Sequence, residues 1–289
     1  MNAEMAVACN NFLGEGPVWH KGRNSFFWVD IEGQLLQEYN ILTQNVQNWQ
    51  MPVRIGTIAI INNEELVIAL HGSIVLFNLS NGTFKTIAPL DAENKMNRAN
   101  DGKCDSKGRL WVGTMHIYGN QPVGSLFVLE GKNITKQLTG LGISNGMDWT
   151  ADDSRFYFID SPTQRVDAFK FNAANGTIKF DRTVIHIPAN EGSPDGMCID
   201  NEGMLWVAQW GGYAVKRYNP NTGELLQTID VPAPQVTSCA FGGENLDALF
   251  ITTASVGLSA DIMEKYPLSG NCFICQPGVK GVGPFYFTP

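Results

Sequence analysis

Four polar side chains recur at the same position of a repeated sequence phrase. They are Glu15 in G-E-G-P, Asn100 in R-A-N-D-G, Asn145 in G-I-S-N-G and Asp195 in G-S-P-D-G-M, and each precedes an aromatic strand residue by 11 or 13 positions. Equivalent positions of a closed repeat face one channel, so we expect these side chains to converge. Two carboxylates and two amides in a partly dry site would need a cation between them. Oxygen ligands of this kind favour a divalent ion such as Ca²⁺, Mg²⁺, Mn²⁺ or Zn²⁺.

A simpler interpretation of the same residues stays open at this point. N-G, D-G and E-G are common turn dipeptides, and glycine and proline around Glu15 would hold its carboxylate on a turn. The shared position in four repeats favours a site over four unrelated turns. The other two repeats carry smaller neutral residues there, around Thr57 and Ser238.

Further polar residues accompany this set. Arg98 lies two residues before Asn100 and would share its strand face, where a forked guanidinium suits the oxygens of a polar ligand. A salt bridge from Arg98 to Asp101 or Asp105 is the equal alternative. His116 and Tyr118 follow in a glycine-bearing and proline-bearing loop that would cover the channel mouth.

The elements that must position these residues are short strands. Six phrases consist of a turn followed by aromatic and β-branched residues, and their spacing matches a four-stranded propeller blade. Further strand pairs are joined by P-N-T-G or A-N-G turns, and no segment has a helical apolar stripe. We predict an all-β fold, a six-bladed β-propeller forming one domain over residues 1–289; the alternative is a β-sandwich. The equivalent strand positions are Trp28, Val67, Trp111, Phe158, Trp206 and Phe250.

Composition narrows the function classes. The chain has 289 residues, 44% hydrophobic and only 17% charged, with 30 glycines and 14 prolines, which is typical of short strands and many turns. A formal charge of −8 argues against nucleic acid or an anionic membrane as partner. With no signal-like or membrane-spanning run and six scattered cysteines, we expect a cytoplasmic protein with reduced thiols.

The ordered set of motifs resembles the SMP-30/gluconolactonase family. It includes G-E-G-P-V-W, R-A-N-D-G-K-C-D, G-R-L-W-V-G-T-M, G-I-S-N-G-M-D-W, P-D-G-M-C-I-D and V-T-S-C-A-F-G-G, and it runs the length of the chain. The resemblance implies a six-bladed propeller with one divalent metal in its channel. By motif it makes Glu15, Asn145 and Asp195 the metal ligands. It also makes Asp195 the acid/base and sets Arg98 and Asn100 against the sugar.

One departure concerns substrate contact. Animal members of the family carry acidic residues shortly after G-T-M, where this chain reads H-I-Y, so Tyr118 is the candidate substitute.

The predicted function is metal-dependent hydrolysis of a sugar lactone to its aldonic acid, with the metal polarising the lactone carbonyl. The one G-x-S-x-G match, G-I-S-N-G at residues 142–146, is the phrase that carries the predicted site residue Asn145, and we do not expect a covalent serine mechanism. The metal stays open among Ca²⁺, Zn²⁺, Mn²⁺, Mg²⁺ and Fe²⁺, and the oligomeric state is left open. The alternatives are a non-catalytic Ca²⁺-binding or interaction propeller, and a hydrolase of another ester or lactone.

Overall fold

The computed structural model describes residues 1–289, and nearly all of its regular structure is β-strand. The first strand, β1 (Glu4–Val7), is followed by four antiparallel groups of four strands, with each strand paired to the next in sequence. These groups are β2 (Gly14–His20), β3 (Ser25–Asp30), β4 (Leu35–Asn40), β5 (Val46–Gln50); β6 (Ile55–Ile60), β7 (Glu65–Leu70), β8 (Ser73–Asn78), β9 (Phe84–Pro89); β10 (Asn97–Cys104), β11 (Leu110–His116), β12 (Gly124–Glu130), β13 (Asn133–Leu141); and β14 (Ser144–Trp149), β15 (Arg155–Asp160), β16 (Arg165–Asn172), β17 (Thr177–His186).

The remaining strands share one eight-stranded sheet with β1. They are β18 (Ser193–Ile199), β19 (Leu205–Trp210), β20 (Ala214–Tyr218), β21 (Leu225–Asp230), β22 (Gln235–Gly242), β23 (Ala248–Ala254) and β24 (Cys272–Cys275). Within it, β18–β21 form one antiparallel run and β22–β24 with β1 form another. Only the pair Trp210–Gln235 joins the two runs. The N-terminal strand therefore completes the last group, through its pairing with β24.

Helical structure is limited to short pieces. One α-helix, α1 (Ala260–Lys265), begins after Ser259, whose side chain accepts a hydrogen bond from the Ile262 amide. Three 3₁₀ turns cover Lys21–Arg23, Ser161–Thr163 and Ala189–Glu191. The helix is too short to produce a readable apolar period, which is why the sequence pattern did not predict it. None of the helices has the length and apolar character needed to cross a membrane.

The first strands of the groups contact one another in a closed ring. Each inner strand contacts the next one in the order β2, β6, β10, β14, β18 and β22, and β22 contacts β2. Each group therefore extends outwards from an inner strand. Residues near the middle of the inner strands are brought together although they are far apart in the sequence.

The apolar core lies between neighbouring groups. It consists of six separate clusters, and each one joins the facing sides of two adjacent groups. The sixth joins the last group to the first, where the rings of Phe26 and Phe250 stack with their centroids 4.5 Å apart. The strand positions predicted to be equivalent all lie on the second strand of a group and are at most 3% exposed: Trp28, Val67, Trp111, Phe158, Trp206 and Phe250.

Two of the repeated phrases carry a buried aspartate at the turn before that strand. Asp105 is fully buried and accepts hydrogen bonds from Arg109 Nε at 2.7 Å and Trp111 Nε1 at 2.9 Å. Asp200 does the same for Arg217 Nε and Trp206 Nε1. Each carboxylate thus fixes a turn, an arginine and a core tryptophan at once. Asp200 also accepts hydrogen bonds from the Glu202 and Met204 amides of its turn.

Replacing Asp105 with alanine should strongly destabilise the fold. The change leaves the guanidinium of Arg109, itself 2% exposed, without its carboxylate partner, and breaking such a buried pair costs about 3–5 kcal/mol. Urea unfolding measures the free energy of unfolding. Glu64→Ala, at an exposed turn, is the control and should stay within about 0.5 kcal/mol of the unmodified chain. Equal stability of the two variants would contradict the anchoring role of Asp105.

Candidate active site

A cavity of about 430 Å³ is lined by the N-terminal halves of four inner strands and the loops that precede them. It brings together residues from four groups, among them Glu15 and Asp195, which are 180 positions apart in the chain. All six predicted site residues line it: Glu15, Arg98, Asn100, Tyr118, Asn145 and Asp195.

Each inner strand is bulged at the level of this cavity. The registers shift between Glu15 and Val18, Ile55 and Thr57, Ala99 and Gly102, Ser144 and Met147, Pro194 and Met197, and Val236 and Ser238. A β-bulge leaves residues unpaired and re-aims their side chains. Asn100, Asn145 and Asp195 fall inside these bulges and Glu15 borders one, so a shared backbone irregularity points them into the cavity.

The polar residues do not lie on turns. Glu15 was predicted to be held on a turn but belongs to β2, and N-G and D-G lie within β14 and β18. The glycines are needed for close packing of neighbouring inner strands. A Cβ at Gly146 would lie 2.7 Å from the Asp195 carbonyl oxygen, and a Cβ at Gly196 would lie 2.4 Å from Ser238 Cβ. Gly16 differs, because its φ of +55° is a left-handed conformation.

The remaining two groups contribute different residues from those expected. The bulges of β6 and β22 contain Gly56 and Thr237, one position before the predicted Thr57 and Ser238. Gly56 has no side chain because the backbone of Ala99 lies against it. Thr237 donates to the Gly14 carbonyl or to Thr252. These two groups therefore close the ring and add no ligand.

Two aspartates position the loops that lead to Glu15 and Asn145. Asp30, at the end of β3, accepts the amides of Phe12 and Leu13 at 2.9 Å. Asp160, at the end of β15, accepts the amide of Ile143 at 2.8 Å. The Leu13 amide lies two residues before Glu15, and the Ile143 amide lies two residues before Asn145. The matching endings F-F-W-V-D and F-Y-F-I-D were the sequence signal for this role.

Asn145 has one side-chain atom available for a ligand. Its Nδ2 donates to Ser161 Oγ at 3.0 Å, which orients the amide, whereas its buried Oδ1 has no hydrogen-bond partner. Buried polar atoms are rarely left unpaired in proteins, and exceptions often mark a site for an ion or another ligand.

Glu15 and Asp195 are buried carboxylates that form no salt bridge; each is 5% exposed. Burial, followed by repulsion from Asp195 and Asp101, raises the pKa of Glu15 well above its ordinary value. Burial, followed by repulsion from Asp101, likewise raises the pKa of Asp195. Two buried acids beside an unpaired amide oxygen suit a divalent cation. No three acidic, histidine or cysteine side chains cluster closely enough to hold an ion, so the set depends on Asn145.

Arg98 points into the cavity and forms no salt bridge, so the predicted alternative pairing with Asp101 or Asp105 is wrong. Its Nη1 donates to Asn100 Oδ1 at 2.6 Å, and Asn100 Nδ2 donates to the Ser144 carbonyl at 2.8 Å. Its Nε is buried without a partner. Burial lowers the pKa of Arg98 to about 10, which still leaves it positively charged at neutral pH.

The mouth of the cavity carries aromatic side chains. Tyr118 is 73% exposed, and its ring lies 5.6 Å from that of His116. His116 was predicted to lie in the loop over the channel mouth, but it is the buried last residue of β11. Trp210 lines the cavity, Gln209 is buried beside it, and Tyr213 lies outside the cavity.

Several cavity residues were not found from the sequence. Ser161 and the apolar side chains of Met115, Ile117 and Ile143 lie in loops or at strand ends, where no repeat pattern marks them. Asp148 lies outside this cavity, where its carboxylate accepts hydrogen bonds from Lys103 Nζ at 2.7 Å and from the Ile199 amide at 3.0 Å.

Comparison with known proteins gives a family match over most of the chain. Residues 13–255 match the SMP-30/Gluconolactonase/LRE-like region. Regucalcin from Oryctolagus cuniculus is 37% identical over 292 aligned positions, covering 99% of this chain and 98% of the relative.

Solved structures superpose closely. A structure described as a calcium-binding protein, regucalcin, from Agrobacterium tumefaciens has a TM-score of 0.96 at 26% identity and covers 100% of this chain and 98% of its own. A luciferin-regenerating enzyme has a TM-score of 0.93 at 30% identity, with 99% of both chains covered. At 9% identity and a TM-score of 0.60, the fold alone is shared with the β-propeller domain of Swd1 from Myceliophteria thermophila, over 91% of this chain and 83% of that one.

Glu15→Gln should stabilise the cation-free protein, increasingly so as pH rises. The pKa of Glu15 is raised in the folded state, so the folded chain keeps its proton at pH values where the unfolded chain has lost it. Ionisation therefore lowers the free energy of unfolding above the ordinary pKa near 4.5, and glutamine removes that loss. In chelator, the variant should match the unmodified chain near pH 4 and melt about 2 °C or more higher at pH 8.

The same variant should lose its response to a divalent cation. Added Ca²⁺ or Mn²⁺ should raise the melting temperature of the unmodified chain but not that of Glu15→Gln, since binding to the folded state alone stabilises it. Glu93→Gln, at an exposed position, is the control. An equal cation-induced shift in Glu15→Gln would exclude Glu15 as a ligand.

Asp160→Asn should weaken cation binding by roughly tenfold, because residues that orient ligands typically contribute 10–100-fold to metal affinity. Calorimetric titration with the most stabilising cation measures the change. The matched control is Asp152→Asn, which alters an aspartate of the exposed turn between the same two strands, β14 and β15. Unchanged affinity in Asp160→Asn would show that the loop keeps Asn145 in place without it.

Proposed function

The chain belongs to the SMP-30/gluconolactonase/LRE-like family, and we propose that it is a metal-dependent lactonase that hydrolyses a sugar lactone to its aldonic acid. The observation that carries this proposal is the convergence of Glu15, Asn145 and Asp195 in one cavity with Arg98 and Asn100. A cation set and a fixed polar anchor are the two parts that a lactone site needs.

We further propose that the fold is a six-bladed β-propeller in one domain over residues 1–289. The closed ring of inner strands and the six apolar clusters between groups support it. In this interpretation the eight-stranded sheet contains two blades joined by one residue pair, and the inner strands surround the channel that holds the metal.

Glu15, Asn145 and Asp195 are the proposed ligands of one divalent cation. The unpaired Oδ1 of Asn145 and the two buried carboxylates support this assignment. The description of the Agrobacterium relative as a calcium-binding protein favours Ca²⁺, with Zn²⁺, Mn²⁺, Mg²⁺ and Fe²⁺ as alternatives. A three-residue oxygen set leaves room for water and substrate oxygens, as such ions require.

A divalent cation bound here would polarise the lactone carbonyl and make water more acidic. Asp195 takes a proton from the attacking water as its oxygen adds to the carbonyl carbon. When the bond between that carbon and the ring oxygen breaks, Asp195 returns the proton to the ring oxygen, so one carboxylate acts as base and then as acid. The products are one hydroxyl on the opened sugar and one carboxylic acid, which ionises and releases its proton to solvent.

Arg98 and Asn100 orient the substrate. Their mutual hydrogen bond and the bond from Asn100 to the Ser144 carbonyl hold both side chains before substrate enters. Arg98 Nε, buried without a partner, is available to a hydroxyl or ring oxygen. Such preorganisation lowers the entropy cost of reaching the reactive geometry. Tyr118, exposed at the mouth, is the proposed outer contact.

The partner we propose is therefore a small molecule, not nucleic acid or a membrane, in a cytoplasmic protein. The net charge of −8 and six cysteines without disulfides support this placement. A calcium-binding role without catalysis is the second candidate, favoured by the description of the Agrobacterium relative. Arg98 argues against it, because a cation buffer needs no buried cationic side chain beside its ligands.

Acid release from a panel of aldonolactones, followed by pH-stat in chelator and then with each cation restored, tests the function. We expect cation-dependent turnover that falls roughly 100- to 10,000-fold in Asp195→Asn, the range typical of a lost acid/base. Asp247→Asn, a partly exposed aspartate outside the cavity, should retain full activity. Cation binding without turnover of any lactone would favour the calcium-binding alternative.

A further inference from the structure

One side of the cavity is a continuous apolar surface. We call it the apolar wall and define it as Met115, Ile117, Gly119 and Ile143. Met115 and Ile143 pair as an isolated β-bridge between neighbouring groups. Gly119 lies next to both side chains, since a Cβ there would lie 3.5 Å from Met115 Cε and 3.6 Å from Ile143 Cδ1. None of these four residues has a hydrogen-bonding side chain.

The wall lies beside the polar end of the cavity and leads from it to the mouth. Met115 pairs in register with Arg98, and Ile143 precedes Asn145 by two residues. Ile117 and Gly119 follow the end of β11 and flank the exposed Tyr118. A bound molecule that extends from Glu15, Asn145 and Asp195 to the mouth therefore passes this wall.

Several polar groups of the cavity already have hydrogen-bond partners within the protein. Arg98 Nη1 and the amide of Asn100 are already engaged with each other and with the backbone. The hydroxyls of Ser161 and Ser193 already accept hydrogen bonds from Asn145 and Gln164. Arg98 pairs in register with Met115, and the Ser161 amide donates to the Ile143 carbonyl. These polar groups therefore border one end of the wall, whereas Ile117 and Gly119 lie beyond the end of β11, beside the exposed Tyr118.

We propose that the preferred substrate is a 6-deoxyaldonolactone, a sugar lactone whose terminal carbon is a methyl group. This inference rests on the lactonase function proposed above. We place the lactone carbonyl at the carboxylates and the sugar ring at Arg98. In this orientation the terminal carbon points to the mouth and contacts Ile117. A methyl group gains contact there, whereas a terminal hydroxyl loses its water and finds no partner in the wall.

Matched pairs that differ by one oxygen atom test the proposal. L-Rhamnono-1,4-lactone is compared with L-mannono-1,4-lactone, and L-fucono-1,4-lactone with L-galactono-1,4-lactone, using the cation-loaded protein. We expect kcat/KM to be roughly 10- to 100-fold higher for the deoxy member of at least one pair, the range in which an apolar pocket rejects an added hydroxyl. Equal values, or a preference for the hydroxylated member in both pairs, would overturn it.

A variant of the wall links the preference to its residues. Ile117→Asn introduces a hydrogen-bonding group and should reduce the ratio within the preferred pair to about threefold or less, whereas Ile117→Leu should keep it. Leu225→Asn, an exposed leucine on β21, controls for a surface leucine-to-asparagine change and should also keep it. An unchanged ratio in Ile117→Asn would place the discrimination elsewhere and overturn the role of the wall.

A binding measurement separates this inference from the proposed function. Calorimetry with the ring-opened products, L-rhamnonate against L-mannonate and L-fuconate against L-galactonate, requires no turnover. If no lactone is hydrolysed, the lactonase function fails, and a tighter deoxy product would still support the wall's preference for a methyl group. If other sugar lactones are hydrolysed but the deoxy members are neither hydrolysed nor bound more tightly, only the inference is overturned.

Discussion

The close approach of six inner strands at one level governs the rest of this structure. Even a methyl group does not fit at Gly146 or Gly196, so the glycines after Asn145 and Asp195 permit this close approach. The same level carries a bulge in every inner strand, which turns Asn100, Asn145 and Asp195 out of the ladder. The packing of the inner strands and the orientation of the polar side chains therefore depend on the same short stretch of each strand.

This arrangement produces unfavourable electrostatic repulsion at the centre of the molecule. Glu15 and Asp195 are buried together with no cationic partner in contact, and Asp101 adds to the repulsion. The rest of the fold offsets the cost of this repulsion, through core clusters between neighbouring groups and through buried aspartates that pair with arginines and tryptophans. A cation bound between these acids would relieve the repulsion.

The cavity divides its chemistry between two sides. Polar groups that hold and polarise a substrate come from inner strands and are oriented by Asp160, Ser161 and Asn100. The apolar wall comes from strand ends and from the loop after β11, which tolerate change more easily than the ring. Family members can therefore share the reactive end of the site while differing in the substrate that the loops admit.

Sequence alone determined the all-β class, the six equivalent strand positions and six of the residues that line the cavity, because the repeated phrases and their glycines are local signals. The sequence could not distinguish a turn from a bulge, because N-G, D-G and E-G occur in both. For that reason Glu15 was wrongly predicted to lie on a turn. Only the tertiary structure showed the unpaired Oδ1 of Asn145, the clamps by Asp30 and Asp160, and the apolar wall. Those features depend on which residues from distant groups meet, and register shifts and ring closure decide that.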